Sequence, residues 1–474
     1  FDTSDLALLK RGIALRIRSF GRRKVQAVKL PAEGPDGLQI LRELEAPVAA
    51  DRPEIDKISD PRLRRLLAES GADGLGPVFV TEFRRTTWPL RFEGSAIELA
   101  LDQGEIRAGP AREPLSELEL ELKEGRPEHV FELALALHEA FPVTLGLETK
   151  AARGYALFGG TAPAPVKAAP VGLRPTMSAR HAFGLAARSC LAQMRANEAS
   201  ARLGRDPEGI HQLRVGLRRL RALVAAYRDM LAPEAHALLS RELRWLQQEL
   251  NPARDWDVFI SGTLAPLTAR LPALRQSVEA AQDLREVAQQ RARTALTAPR
   301  YTAFLLRCYL WLMTGAWASG DCALLDRPVG ELAAAILQRR HRRLAKFGGK
   351  RARLPESDLH RLRLLAKKQR YVSDFFRELY PRKATGRYIA ALAAIQDVLG
   401  SLNDALVSRH LVEELERFLA KMPSVGPAAA ARGAGVVLGW QTARIAEDVA
   451  RVPAAWKEFR DRKIFWPRPE KPED

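Results

Sequence analysis

Residues 211–221 read His-Gln-Leu-Arg-Val-Gly-Leu-Arg-Arg-Leu-Arg, and residues 360–370 repeat the pattern as His-Arg-Leu-Arg-Leu-Leu-Ala-Lys-Lys-Gln-Arg. Leu and Ala recur three and four positions apart around both stretches, which is the period of a helix. Sliding the chain by 149 residues superposes the two stretches and also aligns Leu246 with Ile395, Gln247 with Gln396, Leu250 with Leu399 and Asp255 with Asp404. The sequence therefore predicts two tandem helical copies, over about residues 176–310 and 325–460, each suited to a bundle of about four helices.

The basic residues of each copy fall on one side of its predicted helix. They are His211, Arg214, Arg218 and Arg221 in the first copy, and His360, Arg363, Lys367 and Arg370 in the second. On a helix that turns about 100° per residue, these positions span an arc of about 80° and a length of about 15 Å. An ordinary solvated face would mix acids with bases at four-residue spacing. A single Arg-rich helix is more often a solvated face, but duplication of the whole pattern favours an anionic partner.

Length and composition bound the class of protein. A chain of 474 residues exceeds one hydrophobic core, so two to four domains are expected. No apolar run of about 18 residues occurs, so no membrane span is predicted. The three cysteines form neither a disulfide framework nor a zinc pattern, which fits a cytoplasmic protein.

The net charge of +18 is unevenly distributed. Residues 1–170 carry 24 Lys and Arg against 26 Asp and Glu, whereas residues 171–474 carry 51 against 31. A basic part beside a neutral part predicts a polyanionic partner for the former. Composition leaves three classes open, namely nucleic acid, an anionic membrane surface and a phosphate polymer.

A change of composition marks the domain boundary. Residues 161–175 contain four prolines and little that could build a core, which predicts an interdomain linker. The expected organisation is an N-terminal domain over 1–160, a helical domain over 176–460 and a basic, Pro-rich tail over 461–474. Turns that interrupt the helices are expected at Asp206-Pro207, Asn251-Pro252, Pro355 and Gly400.

Before the linker, polar and apolar residues alternate with the period of two that is typical of strands. Five segments show it: 13–18, 25–30, 77–88, 97–102 and 117–123. Successive strand side chains point to opposite faces, so Glu117, Glu119, Glu121 and Lys123 share one face. For one strand alone, a solvated face with cross-strand ion pairs is the simpler interpretation. Since all five strands share the asymmetry, the sequence favours a small antiparallel barrel whose charged lumen suits a polyphosphate chain and a divalent ion.

The order of these motifs resembles the CYTH family of triphosphate tunnel metalloenzymes. The similarity covers residues 1 to about 158 and rests on residues 1–18, 83–88, 97–106, 117–123 and 150–155. The resemblance implies hydrolysis of a triphosphate with Mg²⁺ or Mn²⁺, in which the catalytic residues are Arg85, Glu117, Glu119 and Glu121 and the metal ligands come from these three glutamates. It also implies that basic side chains bind the triphosphate: Arg16, Arg18, Lys29, Arg85, Lys123, Lys150 and Arg153.

One part of the family pattern does not occur in this sequence. The first strand of CYTH domains carries an alternating Glu-x-Glu-x-Lys motif upstream of the segment that opens here at Phe1. Trimming of the natural start is the expected reason, because the sequence begins inside a motif and without Met. The prediction of a metal-dependent inorganic triphosphatase therefore assumes that the full protein contains this strand.

Residues 176 to about 460 resemble the CHAD family, the conserved-histidine α-helical domain. Its motif is present as residues 211–221, and its second signature resembles residues 246–257 and 395–404. The resemblance implies two four-helix bundles related by an approximate twofold axis, with basic surfaces that bind inorganic polyphosphate. The implied binding residues are His211, Arg214, Arg218, Arg219, Arg221, Arg339, Arg340, Arg342, Arg343, His360, Arg363, Lys367 and Arg370.

The predicted fold class is an α+β multidomain protein, in which an antiparallel β-barrel or tunnel precedes an all-α domain of two four-helix bundles. The predicted function is polyphosphate binding joined to tripolyphosphate hydrolysis, in the cytoplasm, with association with polyphosphate granules left open. Two alternatives remain, a non-catalytic polyphosphate-binding protein and a nucleic-acid-binding helical protein. The second is disfavoured, since cations without interleaved aromatic residues offer no stacking platform for bases.

Overall fold

The computed structural model describes residues 1–33, 39–69, 74–146, 148–160, 163–318, 320, 322–348 and 356–468. The chain divides into two compact units. The N-terminal unit contains Phe1–Ala136 and Leu145–Pro163, and the helical unit contains Leu137–Thr144 and Ala164–Asp474. Antiparallel sheets in the first unit and helices in the second confirm the predicted fold class.

The described residues contain six strands, which form two three-stranded antiparallel sheets in the orders β1-β2-β3 and β4-β5-β6. The strands are β1 (Ala14–Phe20), β2 (Arg23–Glu33), β3 (Gln39–Val48), β4 (Val80–Phe92), β5 (Ser95–Ala108) and β6 (Ala111–Glu124). The turn between β4 and β5 places Glu93 and Gly94 at positive φ, the geometry that matches the twist of a hairpin. The turns between β1 and β2 and between β5 and β6 likewise contain a glycine at positive φ, Gly21 and Gly109.

Five of these strands lie where the alternation of polar and apolar residues predicts them, whereas β3 was not predicted. β3 pairs with β2 from Lys24↔Val48 to Glu33↔Gln39. Its most regular part, Glu43-Leu-Glu45, is too short to stand out as a strand in the sequence. The pairing places Glu43 opposite Lys29, so this strand brings acidic groups to the basic residues of β2.

Short helices close the N-terminal unit: α1 (Ala7–Lys10), α2 (Pro61–Glu69), α3 (Glu128–Ala140) and α4 (Lys150–Gly159). Its buried apolar cluster consists of Leu8, Ile13, Leu15, Val28, Ile58, Leu63 and Leu67. The buried Asp2 carboxylate accepts hydrogen bonds from the N–H groups of Leu8 and Leu9, each at 2.9 Å, and from the Tyr155 hydroxyl at 3.0 Å. Asp2 thereby ties α1 to α4.

The helical unit is built from helices of 4 to 38 residues. They are α5 (Ala179–Ala196), α6 (Glu198–Leu203), α7 (Pro207–Ala226), α8 (Pro233–Phe259), α9 (Ala265–Thr268), α10 (Arg275–Thr297), α11 (Pro299–Thr314), α12 (Val329–Gly348), α13 (Glu356–Phe376), α14 (Arg382–Leu419) and α15 (Gly426–Arg460). Among the described residues, none of the helices combines the length and the apolar run needed to cross a bilayer.

The predicted helix interruptions are confirmed at one position and wrong at two. Asp206 caps α7 and Pro207 occupies its first turn, as expected. Asn251-Pro252 lies inside α8, because buried Leu250, Ala253 and Trp256 continue its apolar face past the proline. Gly400 likewise lies inside α14, and Pro355 is outside the described residues.

The two repeated stretches form α7 and α13, and these helices pack against each other. Behind them, α5 packs on α7 and α12 packs on α13. The approach of α5 is so close that a Cβ added at Gly216 would lie 2.9 Å from Met194 Cγ and 3.2 Å from the Cys190 carbonyl oxygen. A glycine at this position therefore brings the basic helix α7 tightly onto its own bundle.

Gly216→Ala is expected to lower the free energy of unfolding by about 1–3 kcal/mol, because the added methyl group would press on Met194 and the Cys190 carbonyl. Gly439→Ala in α15 is the matched control, since a Cβ there meets nothing within 4 Å. The control should gain about 0.5–1 kcal/mol from helix propensity. Urea denaturation followed by far-UV circular dichroism measures both, and a G216A chain as stable as the wild type would contradict the close packing.

Candidate functional site

The N-terminal unit collects charged side chains where β4, β5 and β6 lie side by side. The register places Arg85 opposite Asp102, and Asp102 opposite Glu117. Glu119 follows two residues further along β6 and shares the face of Glu117. Lys150 joins them from the first turn of α4. Asp102, Glu117 and Glu119 are called the carboxylate cluster below.

Two cations neutralise this cluster. Arg85 donates from Nε and a terminal nitrogen to the two oxygens of Asp102, at 2.7 and 2.6 Å, and also contacts Glu119. Lys150 Nζ lies 2.7 Å from Asp102 Oδ2 and 2.6 Å from Glu119 Oε1, and it contacts Glu117. The Asp102 side chain is fully buried and that of Lys150 is 16% exposed. Three acids and two bases are thus held together, with Asp102 and Lys150 on the buried side and Arg85 and Glu119 partly open to water.

The hydrogen bonds decide the ionisation of the cluster. Burial alone would raise the pKa of the Asp102 carboxyl, but hydrogen bonds from Arg85 and Lys150 outweigh it and hold this pKa below its ordinary value. The pKa of Glu119 is lowered in the same way against burial. Although burial opposes it, the pKa of Lys150 is raised by its three carboxylate partners. Asp102 and Glu119 are therefore ionised at neutral pH, as metal ligands must be.

The carboxylate cluster fits a hard divalent cation. Asp102, Glu117 and Glu119 each offer an oxygen, and these oxygens lie within 4.8 Å of one another. Carboxylate oxygens are the donors that Mg²⁺ and Mn²⁺ favour. The third carboxylate of the predicted set, Glu121, lies further along β6, where Lys123 Nζ approaches it at 2.9 Å. Asp102 takes the third position in the cluster instead.

The predicted phosphate ligands of β1 and β2 converge on an acid of β3. Arg16 Nη2 lies 2.8 Å from Glu43 Oε1, and Lys29 Nζ lies 3.4 Å from Glu43 Oε2. Arg18 contacts both Glu43, at 3.4 Å, and Glu45. Against burial, the hydrogen bond from Arg16 holds the pKa of Glu43 below its ordinary value. The three predicted cations therefore lie together around one carboxylate.

The cations of the two sheets influence each other. Burial, with the charges of Arg16 and Arg85, lowers the pKa of Arg18, so Arg18 and Arg85 lie within electrostatic range of each other.

Two further predicted residues, Arg153 and Lys123, make their contacts along β6. Arg153 donates to Glu113 at 2.8 Å and to the Pro114 carbonyl at 2.8 Å, which fixes α4 to β6. Lys123 pairs with Glu121 and lies 3.4 Å from Glu98, at the far end of β6.

The helical unit gathers cations from both copies where α7 meets α13. Arg214 and Arg218 come from α7, and Arg363 and Lys367 come from α13. Lys367 lies within electrostatic range of the other three. These four residues are called the cationic centre. The two stripes that the sequence predicts thus face one common place.

Burial gives the cationic centre its unusual ionisation. Burial, together with Arg363 and Arg218, lowers the pKa of Lys367 to about 7. Burial also lowers the pKa of Arg214 to about 10, although Asp255 opposes the shift. The pKa of Arg363 is lowered mainly by burial. The charged forms of these side chains are therefore disfavoured in the free protein.

Two aspartates compensate the centre incompletely. Asp255 Oδ1 lies 3.8 Å from Arg214 Nη2, and this distance is too long for a hydrogen bond. Burial raises the pKa of Asp255, and the neighbouring Asp404 adds to the shift against the attraction of Arg214. Asp404 in turn favours the charged forms of Arg363 and Lys367. Among the described residues, two aspartates, one from each copy, therefore lie beside the four cations of the centre.

The two predicted histidines differ. His211 is partly buried, and burial with Arg254 lowers its pKa to about 4, so its imidazole is neutral at pH 7. His360, its counterpart on α13, is exposed. A neutral His211 still offers one N–H to an anionic oxygen.

The remaining predicted residues surround the centre in different settings. Arg219 donates to Gln193 Oε1 at 2.8 Å, and Arg370 donates to Gln396 Oε1 at 3.2 Å. Arg221 is exposed on α7. On α12, Arg339 lies 3.4 Å from Asp229, Arg340 is partly buried, and Arg342 and Arg343 are exposed.

Sequence interpretation missed several residues that the structure brings to these places. Asp102 was noted only as part of an alternating strand, because its position opposite Arg85 and Glu117 requires the strand register. Glu43 was missed with β3, because the Glu-Leu-Glu alternation at 43–45 is too short to predict a strand. Lys368 was aligned in the repeat but left out of the predicted site.

Comparisons with known proteins identify a family for each part of the chain. The CYTH domain family matches residues 1–155, and the CHAD domain family matches residues 185–413. The crystal structure of the CHAD domain from the plant Ricinus communis superposes with a TM-score of 0.56 at 30% identity, covering 64% of this chain and 98% of that chain. The chain therefore belongs to the CHAD family and carries a CYTH domain before its helical unit.

Two curated relatives cover different parts of the chain. The inorganic triphosphatase of Haemophilus influenzae is 33% identical over 159 residues, which is 33% of this chain and 44% of that protein. An uncharacterised protein of Mycobacterium tuberculosis strain H37Rv is 28% identical over 450 residues, which is 87% of this chain and 81% of that protein. This chain thus spans less than half of the triphosphatase but most of the mycobacterial protein.

The depressed pKa of Lys367 predicts how stability depends on pH. In the unfolded chain its pKa returns to about 10.5, so between pH 7 and 10.5 the unfolded state binds a proton that the folded state lacks. The free energy of unfolding should therefore rise by up to about 1 kcal/mol per pH unit from pH 7 to pH 9. Lys367→Met should remove this rise and stabilise the chain at pH 7 and below.

Urea denaturation from pH 6 to pH 9 measures the effect, with Lys383→Met on the exposed face of α14 as the matched control. The control should keep the wild-type slope. If the slope survives unchanged in the K367M chain, Lys367 is not the buried cation that the geometry indicates.

Proposed function

We propose that this protein binds inorganic polyphosphate through its helical unit and hydrolyses tripolyphosphate with a divalent metal ion in its N-terminal unit. The cationic centre carries the proposal, because four cations from two repeated helices lie together with two aspartates beside them. A phosphate polymer supplies the missing negative charge at several successive phosphates. We expect the protein to meet this ligand in the cytoplasm, either in solution or in polyphosphate granules.

The chemistry of each side chain in the centre suits a phosphate polymer. Arg214, Arg218 and Arg363 can each donate two parallel hydrogen bonds to phosphate oxygens. Lys367 acts as a point charge, and an adjacent phosphate favours its protonated form, so the site gains charge as the ligand enters. Asp255, beside Arg214, orients that guanidinium rather than binding the anion.

In the N-terminal unit, Arg16, Arg18, Lys29 and Arg85 would hold the phosphoryl oxygens and spread the negative charge that develops on the leaving group. Asp102, Glu117 and Glu119 would hold the metal ion, which supplies Lewis-acid stabilisation of those oxygens. Lys150 compensates the negative charge of these carboxylates. When a divalent ion supplies that positive charge instead, Lys150 would lie close enough to bind the substrate.

Similarity to a known enzyme supports this part of the proposal. The relative from Haemophilus influenzae carries the name inorganic triphosphatase, and the aligned region is confined to 159 residues. Arg16, Arg18 and Arg85, together with all three carboxylates of the cluster, belong to the motifs that resemble the CYTH family. A binding domain without activity is the alternative.

Release of phosphate from tripolyphosphate tests the enzymatic proposal. We expect turnover that requires Mg²⁺ or Mn²⁺ in the longest natural form of the chain, and Glu119→Gln should lower kcat/KM by about 100-fold or more through loss of a metal ligand. Glu105→Gln is the matched control, since Glu105 pairs with Arg107 and Arg112 away from the cluster. Binding of tripolyphosphate without turnover in the presence of either metal would favour the non-catalytic alternative.

Competition at fixed salt tests the helical unit. Long-chain polyphosphate is expected to displace RNA at equal phosphate concentration, and Arg214→Ala with Arg363→Ala should weaken polyphosphate binding and flatten its salt dependence, because fewer counterions are released. Arg387→Ala with Arg432→Ala, which removes two exposed arginines of α14 and α15, is the control for net charge. Displacement of polyphosphate by RNA, or an unchanged salt slope in the first variant, would overturn the assignment.

A further inference from the structure

The two sides of the cationic centre are built from equivalent elements but differ in charge compensation. On one side, Arg219 of α7 and Arg370 of α13 lie near α5 and α14. On the other side, Arg221 of α7 and Lys368 of α13 lie near α8 and α12. The repeat relates Arg219 to Lys368 and Arg221 to Arg370. A symmetric unit would therefore surround these two pairs with similar partners.

On the first side, the cations are satisfied within the protein. Arg219 donates to Gln193 Oε1 at 2.8 Å and to Ser189 Oγ at 3.2 Å, and its guanidinium lies 5.2 Å from the centre of the Phe375 ring. Arg370 donates to Gln396 and lies 3.9 Å from Asp374. Asp374 is mostly buried and feels the charges of both arginines. We call this the closed side.

On the other side, cations accumulate without acids. Lys368 lies within electrostatic range of Arg221, Arg340 and Arg343, and Arg221 lies within range of Arg244 on α8. Within the described part of the chain, none of these five side chains makes an ion pair, and the buried Nε of Arg340 makes no hydrogen bond. The nearest pair, Arg339 with Asp229 at 3.4 Å, is mostly exposed and so weak. We call this the open side.

Substitutions between the copies explain the difference. Asp374 of the closed side corresponds to Ala225, so Arg221 has no acid one helical turn away. Gln396 accepts from Arg370, whereas its counterpart Gln247 has a buried Oε1 that makes no hydrogen bond among the described residues.

The outer helices differ in the same direction. Counted from the starts of α5 and α12 at Ala179 and Val329, Cys190 corresponds to Arg340 and Gln193 to Arg343. At these two positions α5 thus presents neutral residues to the closed side, whereas α12 presents arginines to the open side. Two independent elements, α12 and the α7–α8 pair, therefore leave the same side uncompensated.

We propose that a bound phosphate polymer leaves the cationic centre by the open side alone, across Arg221, Arg244, Arg340, Arg343 and Lys368. This inference rests on the proposed polyphosphate binding and adds a direction to it. A chain that follows the open side replaces missing counter-charges at each step, whereas on the closed side it would have to displace Gln396 and Asp374 from the arginines they already contact. The duplicated fold then holds its ligand asymmetrically.

Binding of long-chain polyphosphate to the full chain, measured over a range of salt concentrations, tests the proposal with a single substitution. Ala225→Asp places an acid beside Arg221, as Asp374 lies beside Arg370, at an exposed position of α7. We expect an affinity about fivefold lower and a flatter salt slope. Ala225→Asn has the same size without the charge and should bind like the wild type.

A second comparison addresses the two sides directly. Arg340→Gln with Arg343→Gln should lower affinity about tenfold, the loss expected for one or two charge-assisted contacts. Arg219→Gln with Arg370→Gln, on the closed side, should lose clearly less affinity than the open-side variant, because Gln193, Gln396 and Asp374 already contact these arginines. Should loss of the Arg219 contacts unfold the latter chain, the A225D and A225N pair still decides.

The outcomes separate this inference from the proposed function. If the wild-type chain does not bind polyphosphate at physiological salt, both fail. If the wild type binds and Arg214→Ala with Arg363→Ala weakens binding, but A225D binds like A225N or both sides lose affinity equally, the polyphosphate assignment stands and the one-sided path is overturned.

Discussion

Burial of like charges is the constraint on which the helical unit depends. The apolar faces of α7 and α13 pack against their own bundles, and this packing leaves the basic faces of both helices turned toward one place. Burial limits the access of water to these side chains, so the charged form of Lys367 becomes costly and the arginines repel one another. Such an arrangement is stable only because core burial elsewhere offsets it, and it creates a strong attraction for an anion.

The N-terminal unit arranges its charges in the opposite way. Its cations are matched by carboxylates at short distances, Arg85 by Asp102 and Arg16 by Glu43. The pKa values of these acids are lowered rather than raised, so the site is ionised and nearly balanced. An anion cannot simply enter a balanced site, since it must compete with carboxylates for the same donors. A divalent cation bound to Asp102, Glu117 and Glu119 would restore the excess positive charge, which gives metal and triphosphate a physical reason to bind together.

Duplication explains why one unit can be both regular and asymmetric. The two copies keep the register of the central basic helix, because that register is tied to the buried apolar face. Positions around it, such as Ala225 and Asp374 or Gln193 and Arg343, differ between the copies. Asp374 and Gln193 lie on the closed side, whereas Ala225 and Arg343 lie on the open side, so the differences change the charge in one direction across the centre.

Much of the architecture follows from local pattern alone. The alternating segments at 13–18 and 117–123 form β1 and β6, since period-two alternation needs only a sheet with unlike faces. β3 was not predicted, because Glu43 and Glu45 favour a strand only when β2 lies beside them. The expected breaks at Pro252 and Gly400 were wrong for the same reason, as buried neighbours continue a helix that local propensity would end.

The sequence by itself determined the two-part organisation, the repeated basic helix and the charged residue types on one face of each helix or strand. It could do so because helix and strand periods assign side chains to faces before any tertiary contact forms. Tertiary structure decided which of those residues meet. Asp102 joined Glu117 and Glu119 through strand register, Arg219 was drawn away from the centre by Gln193, and Lys367 lost its ordinary pKa through burial between two helices. Distances between elements, and the water they exclude, are properties of packing and are not encoded in the period of any single segment.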